Sequence, residues 1–297
     1  MGHPARRYSM VQLDVFSAQP LEGNSLAVFP DARGLSDSEM QALAREMNLS
    51  ETTFVLPGDP AVERERGVRA RIFTVREELP FAGHPTLGTA FVLRGASAAP
   101  EVALDLKVGR IPVRFEEQAG KPAFGEMRQR DPELGELHAR EAVAAAVGIP
   151  PADIAEDVPL QTVSTGLPFI VVPLRSLAVA QRLTVNWQKA AEYLERTTGH
   201  FFYFVTREAV DSSARLHARM FFYNGEDPAT GSAAGCAAAW MAAHGVAASG
   251  ERVLIEQGVE MGRPSRIFVR ADKDGNRIVN VRVGGNAVEV LRGEVVL

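Results

Sequence analysis

One short pattern occurs twice in this chain, and it constrains the fold more than any other feature. His84-Pro85-Thr86-Leu87-Gly88-Thr89-Ala90 aligns with Asp227-Pro228-Ala229-Thr230-Gly231-Ser232-Ala233, 143 residues further on: Pro, Gly and Ala coincide, and Thr89 stands opposite Ser232. Each copy follows a strand-like run, Ala70-Arg71-Ile72-Phe73 in one case and Ala218-Arg219-Met220-Phe221 in the other. Two matches in the same order point to a duplicated chain. The fold is then built from two related halves, each feeding a strand into a special helix. Asp227 suits an N-cap and Pro228 the first helical position, where the missing N–H is no loss. Gly231 lets a ligand approach the backbone closely, and the free N–H groups of a helix start favour a carboxylate or phosphate. A well-capped buried helix with no ligand fits the same letters.

The rest of the sequence narrows the class by exclusion. A length of 297 residues allows two proper cores. The net charge of −5, with no basic block, argues against nucleic acid as a partner. The single cysteine excludes an internal disulfide and a cysteine-cluster metal site, and fits a reducing compartment. The six histidines are scattered without the spacing of a metal-binding helix, so no metal is expected. Gly83 to Gly88 lacks both the dinucleotide-binding spacing and the phosphate-loop lysine. No apolar run is long enough to span a bilayer, and Met1 to Arg7 carries positive charge with no apolar stretch behind it. The expectation is a cytoplasmic protein acting on a small molecule, with no nucleic-acid or membrane partner.

Along the chain, residues 8–16 and Ser25 to Phe29 read as strands. Ser36-Asp37-Ser38-Glu39 reads as a capping box opening a helix through Met40, Leu43, Ala44 and Met47, with Asn48 as its left-handed end. Leu49 to Val55 is β-prone. Arg69 to Thr74 is a strand leading to the first special helix, about 85–95, and strands follow at 101–107 and 110–115. Periodicity lapses around Gly120 to Gly135, the best place for a domain boundary. A helix is expected at about 138–147, a strand at Phe169 to Leu174, and a helix capped by Asn186. Strands follow at Phe201 to Thr206 and Leu216 to Phe222, then the second special helix from Pro228 to His244, then three or four strands. The fold class is α+β: two pseudo-symmetric domains, each a curved, mostly antiparallel sheet wrapped around a central helix. The halves divide as 1–125 and 126–297, with the C-terminal strand free to return to the first half.

Three residues carry candidate chemistry. Glu51 sits among apolar and hydroxyl residues with no Lys or Arg beside it in sequence. A partly buried carboxyl of that kind has its pKa raised toward the range where it can both take and give a proton. On the residues alone, an exposed carboxyl at a strand end is the more ordinary reading. His84 and Asp227 precede their helices at matching places, an imidazole and an acid related by the repeat, although each alone fits a structural role at a helix start. Cys236 lies inside the second helix and reads as a packing residue.

These residues resemble the PhzF family of phenazine-biosynthesis isomerase-like proteins. The likeness rests on Asp14-Val15-Phe16, Gly23-Asn24-Ser25-Leu26-Ala27-Val28, Asn48 to Val55, Leu79 to Ala90, Glu226 to Gly235, Gln257-Gly258, Gly262-Arg263-Pro264-Ser265 and Val283-Gly284-Gly285. Ser25 and Val75 stand where prolines are usual. The resemblance implies the diaminopimelate epimerase-like fold with the site between two halves, a homodimer and no cofactor. It further implies that Glu51 shuttles a proton between two carbons of a cyclic unsaturated acid. By the same likeness His84, Asp227 and Ser232 line the site, and Gly83, His84, Gly231 and Ser232 hold the substrate through helix-start amides. Two-cysteine racemases belong to the same wider group, and one cysteine excludes their chemistry. A non-catalytic module binding a small acid or a protein in the same cleft is the competing reading.

Overall fold

The computed structural model describes residues 5–117, 120, 122–222 and 225–297. Met1 to Pro4, part of the positively charged opening stretch, lie outside the described residues. The chain divides into two compact units, Met1–Met127 with Gly284–Leu297, and Arg128–Val283. The last strand thus counts with the first unit, an arrangement the sequence leaves open.

The first unit runs β1 (Arg7–Val15), β2 (Asn24–Phe29), α1 (Asp37–Met47), β3 (Glu51–Val55), α2 (Pro60–Arg66), β4 (Val68–Phe73), β5 (Glu78–Leu79), α3 (Gly83–Arg94), β6 (Glu101–Leu106), β7 (Gly109–Glu116) and β8 (Phe124–Arg128). The capping box forms as expected, with Ser36 and Glu39 bonded reciprocally, and Asn48 ends α1 at φ 51°. β1 pairs antiparallel with β2, and α1 crosses over to bring β3 parallel to β2. β3 and β4 are antiparallel, and α3 crosses over to bring β6 parallel to β4. β6–β7 and β7–β8 are antiparallel. Phe29 stacks on Phe54, which meets Phe73 edge to face, in one apolar core behind α1. α3 is buried nearly all round, and a Cβ on its Gly88 would stand 2.6 Å from Leu26 and 2.8 Å from Val15. That glycine lets the helix lie close on β1 and β2.

The second unit runs β9 (Glu133–His138), α4 (Arg140–Val147), β10 (Leu160–Ser164), β11 (Pro168–Pro173), α5 (Leu177–Gln181), α6 (Trp187–Leu194), β12 (Phe201–Thr206), β13 (Ala214–Phe222), β14 (Gly225–Glu226), α7 (Gly231–Ala243), β15 (Val253–Gln257), β16 (Ser265–Asp274) and β17 (Arg277–Gly285). The chain then closes with β18 (Ala287–Val296), antiparallel to β1. Starting from β10, the steps repeat those of the first unit. β10–β11 is antiparallel, β11–β12 parallel across α5 and α6, β12–β13 antiparallel, β13–β15 parallel across α7, and β15–β16 antiparallel. α7 is apolar on every side, with Ala233 to Ala242 buried against β10, β11 and β16. A helix of that composition is stable only when enclosed.

The duplication extends to side chains. Arg71 donates two hydrogen bonds to Glu78, at 2.9 and 2.7 Å, and lies 5.1 Å over the ring of Phe73. Arg219 donates two to Glu226, both at 2.7 Å, and lies 4.8 Å over Phe221. Each pair bridges a strand to the short strand paired against its end, β4 to β5 and β13 to β14. Such two-point arginine–carboxylate contacts fix geometry as well as charge.

This repeat corrects the alignment made from sequence. Glu226 lies 148 residues after Glu78 and Arg219 148 after Arg71, and the helix starts keep the same interval, Gly83 with Gly231. His84 therefore stands opposite Ser232, not Asp227. Asp227 is no N-cap either: its N–H donates to Met220 O (2.9 Å) and its carbonyl accepts from Gln257 Nε2 (2.7 Å). Those bonds keep Asp227 beside the sheet, and the helix begins four residues later with Thr230 as N-cap.

A buried charge cluster braces the same sheet. His217 on β13 is 1% exposed, with Nδ1 2.7 Å from Glu256 and Nε2 3.1 Å from Glu260. Burial alone would lower its pKa, but the bonds to Glu256 and Glu260 outweigh that and raise it to about 9. A folded-state pKa above the unfolded value stabilises most fully below the unfolded value, near 6.5. That contribution, of order 1–3 kcal/mol, is expected to fade as pH rises from 6.5 through 9. Urea unfolding at pH 6, 8 and 9.5 checks it: the wild type should lose stability over this window and His217→Gln should not.

Candidate active site

Glu51 opens β3, opposite Leu26 of the neighbouring β2, and its side chain is 12% exposed. His84, the second residue of α3, is 4% exposed, and its Nε2 lies 3.5 Å from Glu51 Oε2. That is longer than a well-formed N–H···O bond and close enough for a proton to be steered. On the other side of the ring, Asn24 Nδ2 lies 3.3 Å from His84 Nδ1. An amide NH₂ can only donate, so Nδ1 accepts and the proton of the neutral ring sits on Nε2, facing Glu51. Burial pushes the imidazole down to about 3. Despite its ion-pair distance, the contact is thus one between a neutral donor and a carboxyl.

Sequence reasoning did not single out Asn24. It starts β2, directly after Gly23, which has φ 68° and would drive a Cβ to 2.3 Å from Val15 O. A glycine obliged by a turn and followed by a buried amide was the available signal.

In the second unit Asp227 is 5% exposed and its Oδ2 accepts the Thr230 hydroxyl at 2.6 Å. Gly231 is buried and Ser232 partly exposed at the start of α7. Neither Ala82, the N-cap of α3, nor Thr230, the N-cap of α7, provides a side-chain cap. The first amides at Gly83 and Gly231 therefore keep the electropositive character that attracts carboxylates. Gln129 supports the second start by donating to Gly231 O (3.0 Å) while accepting from Thr165 (2.7 Å). Glu51, His84 and Gly83 thus belong to one cluster in the first unit, and Asp227, Gly231 and Ser232 to another in the second.

Other features carry no such chemistry. Cys236 is fully buried within α7, and burial raises its thiol pKa to about 11, which suits packing and not nucleophilic attack. A cavity of about 910 Å³ in the first unit includes neither Glu51 nor His84. Its Arg71 and Lys107 are both already ion-paired with Glu78. Among the described residues no group of three His, Cys, Asp or Glu is arranged to hold a metal ion. No described helix is long and apolar enough to cross a membrane.

Two strand–helix repeats with uncapped helix starts, one bearing a glutamate and a neutral histidine, define a protein of the diaminopimelate epimerase-like fold. The chain belongs to the phenazine biosynthesis-like family PhzC-PhzF, which it matches over residues 13–293. It is 38% identical over 294 residues to an uncharacterized isomerase of Mesorhizobium japonicum, covering 95% of this chain and 96% of that one. It is 35% identical over 290 residues to the trans-2,3-dihydro-3-hydroxyanthranilate isomerase of Pseudomonas aeruginosa, covering 97% and 99%. Among solved structures, a phenazine biosynthesis protein of the PhzF family from Bacillus anthracis superposes with a TM-score of 0.88 at 27% identity, covering 98% of this chain and all of that one.

Proposed function

We propose that this chain is a cofactor-independent isomerase that moves a proton between carbons of a small, carboxylate-bearing, cyclic unsaturated substrate. Its enzyme class, isomerase, is that of its named relatives. Glu51 is the single general acid/base. The observation that carries this is a nearly buried carboxyl facing the Nε2 of a neutral imidazole at 3.5 Å. Glu51 takes a proton from one carbon, the C–H electron pair enters the π-system and shifts the double bond, and the carboxylic acid returns the proton to another carbon. No redox partner is required. His84 points its Nε2–H at the Glu51 carboxylate and steadies that charge, Asp227 lines the site as a second carboxylate without carrying the shuttled proton, and Gly83, Gly231 and Ser232 bind the substrate carboxylate through backbone amides.

The test uses trans-2,3-dihydro-3-hydroxyanthranilate in D₂O followed by proton NMR. Isomerisation, with deuterium at the carbon that receives the proton to the extent that Glu51 exchanges with solvent, is the expected result. Saturable binding without turnover would instead establish the binding-module reading. A homodimer belongs to the same proposal, and sedimentation equilibrium tests it separately.

A further inference from the structure

Behind Asp227 lies a chain of buried hydrogen bonds in which every direction is fixed. Gln257, the last residue of β15, is fully buried and uses all four of its bonding positions. Its Nε2 donates to Asp227 O at 2.7 Å and to Thr230 Oγ1 at 2.9 Å. Its Oε1 accepts from Tyr203 O–H at 3.0 Å and from Thr230 N–H at 3.2 Å. A carbonyl can only accept and a backbone N–H can only donate, so these two neighbours independently set which end of the amide is which. Because Thr230 Oγ1 receives a hydrogen from Gln257, its own hydrogen goes to Asp227 Oδ2, at 2.6 Å. The relay therefore runs one way, from Tyr203 through Gln257 and Thr230 to the carboxylate.

Tyr203 is fully buried; burial first, then the nearby Asp227 and Cys236, raise its pKa, so the phenol stays protonated and begins the relay as a donor. Gly258 closes the arrangement. At φ 77° it brings the chain to where a Cβ would sit 2.6 Å from Pro228 O, so the loop bearing Asp227 rests directly on the residue after Gln257.

We propose that Thr230, Gln257 and Tyr203 are positioning residues that hold the Asp227 carboxylate in one rotamer for the reaction. The inference rests on the assignment of Asp227 above. Satisfied buried networks of this kind specify a unique geometry, and loss of one donor leaves the others unpaired.

Crystal structures and kinetics of Thr230→Val and Thr230→Ser test it, with trans-2,3-dihydro-3-hydroxyanthranilate as the probe. Valine keeps the shape but removes the donated hydrogen, while serine restores it. In Thr230→Val the Asp227 carboxylate should leave its rotamer, and kcat should fall about 10–100-fold with KM within about threefold. Thr230→Ser should recover both. In the Asp227→Asn background, Thr230→Val should cost nothing further, because the threonine acts only through that carboxylate. An unmoved carboxylate in Thr230→Val, or losses that simply multiply in the double variant, overturns the proposal. Wild-type turnover in Asp227→Asn would remove the catalytic role of Asp227 instead, and the crystallographic arm would still decide whether Thr230 positions it.

Discussion

Glu51→Gln is expected to lower turnover of trans-2,3-dihydro-3-hydroxyanthranilate by about 10²–10⁴-fold, the usual worth of a positioned general acid/base. Glutamine keeps the shape of the side chain and still presents an oxygen toward His84 Nε2, 3.5 Å from the carboxylate it replaces. What it loses is the ability to take a proton from carbon and return it. Substrate affinity, measured by calorimetry, should change by less than about threefold, because binding is assigned to the helix-start amides. A variant that turned over normally while its affinity collapsed would make Glu51 a binding residue and end the proton-shuttle reading.

The second large effect is expected at Gly258→Ala. A Cβ there would stand 2.5 Å from Arg263 O and 2.6 Å from Pro228 O, and the backbone has φ 77°. The left-handed conformation costs a non-glycine residue about 1–2 kcal/mol, and overpacking against fixed backbone adds about 1–3 kcal/mol. The total, roughly 2–5 kcal/mol, corresponds to a fall in Tm of roughly 5–20 °C. Gly275→Ala is the matched control: φ is 58°, but nothing lies within 4 Å of the new Cβ. Only the conformational cost applies there. Equal losses in the two variants, read by calorimetric melting, would mean that the contact with Pro228 does not constrain the loop.

Local chemistry made much of the fold legible. Ser36, Glu39, Asn48 and Asn186 announce helix ends because their side chains or left-handed tolerance satisfy orphaned backbone groups, and all four do so in the structure. Long-range pairing was harder to read. The stretch from Gly120 to Gly135, where the periodicity lapses, holds β8 and the start of β9, and the helix expected from about 138 begins at Arg140. β9 is mostly exposed, so it lacks the apolar alternation that betrays a half-buried strand. The helix register failed for a related reason. Matching Pro85 to Pro228 by letter could not reveal that Asp227 is engaged by Met220 on the strand before it and by Gln257, 30 residues further on. Asn24 and Gln257 escaped notice likewise, since an amide shows its role only through the partners that folding brings to it.

The paired struts Arg71–Glu78 and Arg219–Glu226 have a bearing on how such a chain can change over time. Each braces the approach to its helix with residues other than the second helical position, where one half carries histidine and the other serine. The frame and its tip are thus inherited separately. A change at 84 or 232 alters the group presented at the helix start while the strut residues stay the same, so new chemistry in this architecture need not begin with the frame.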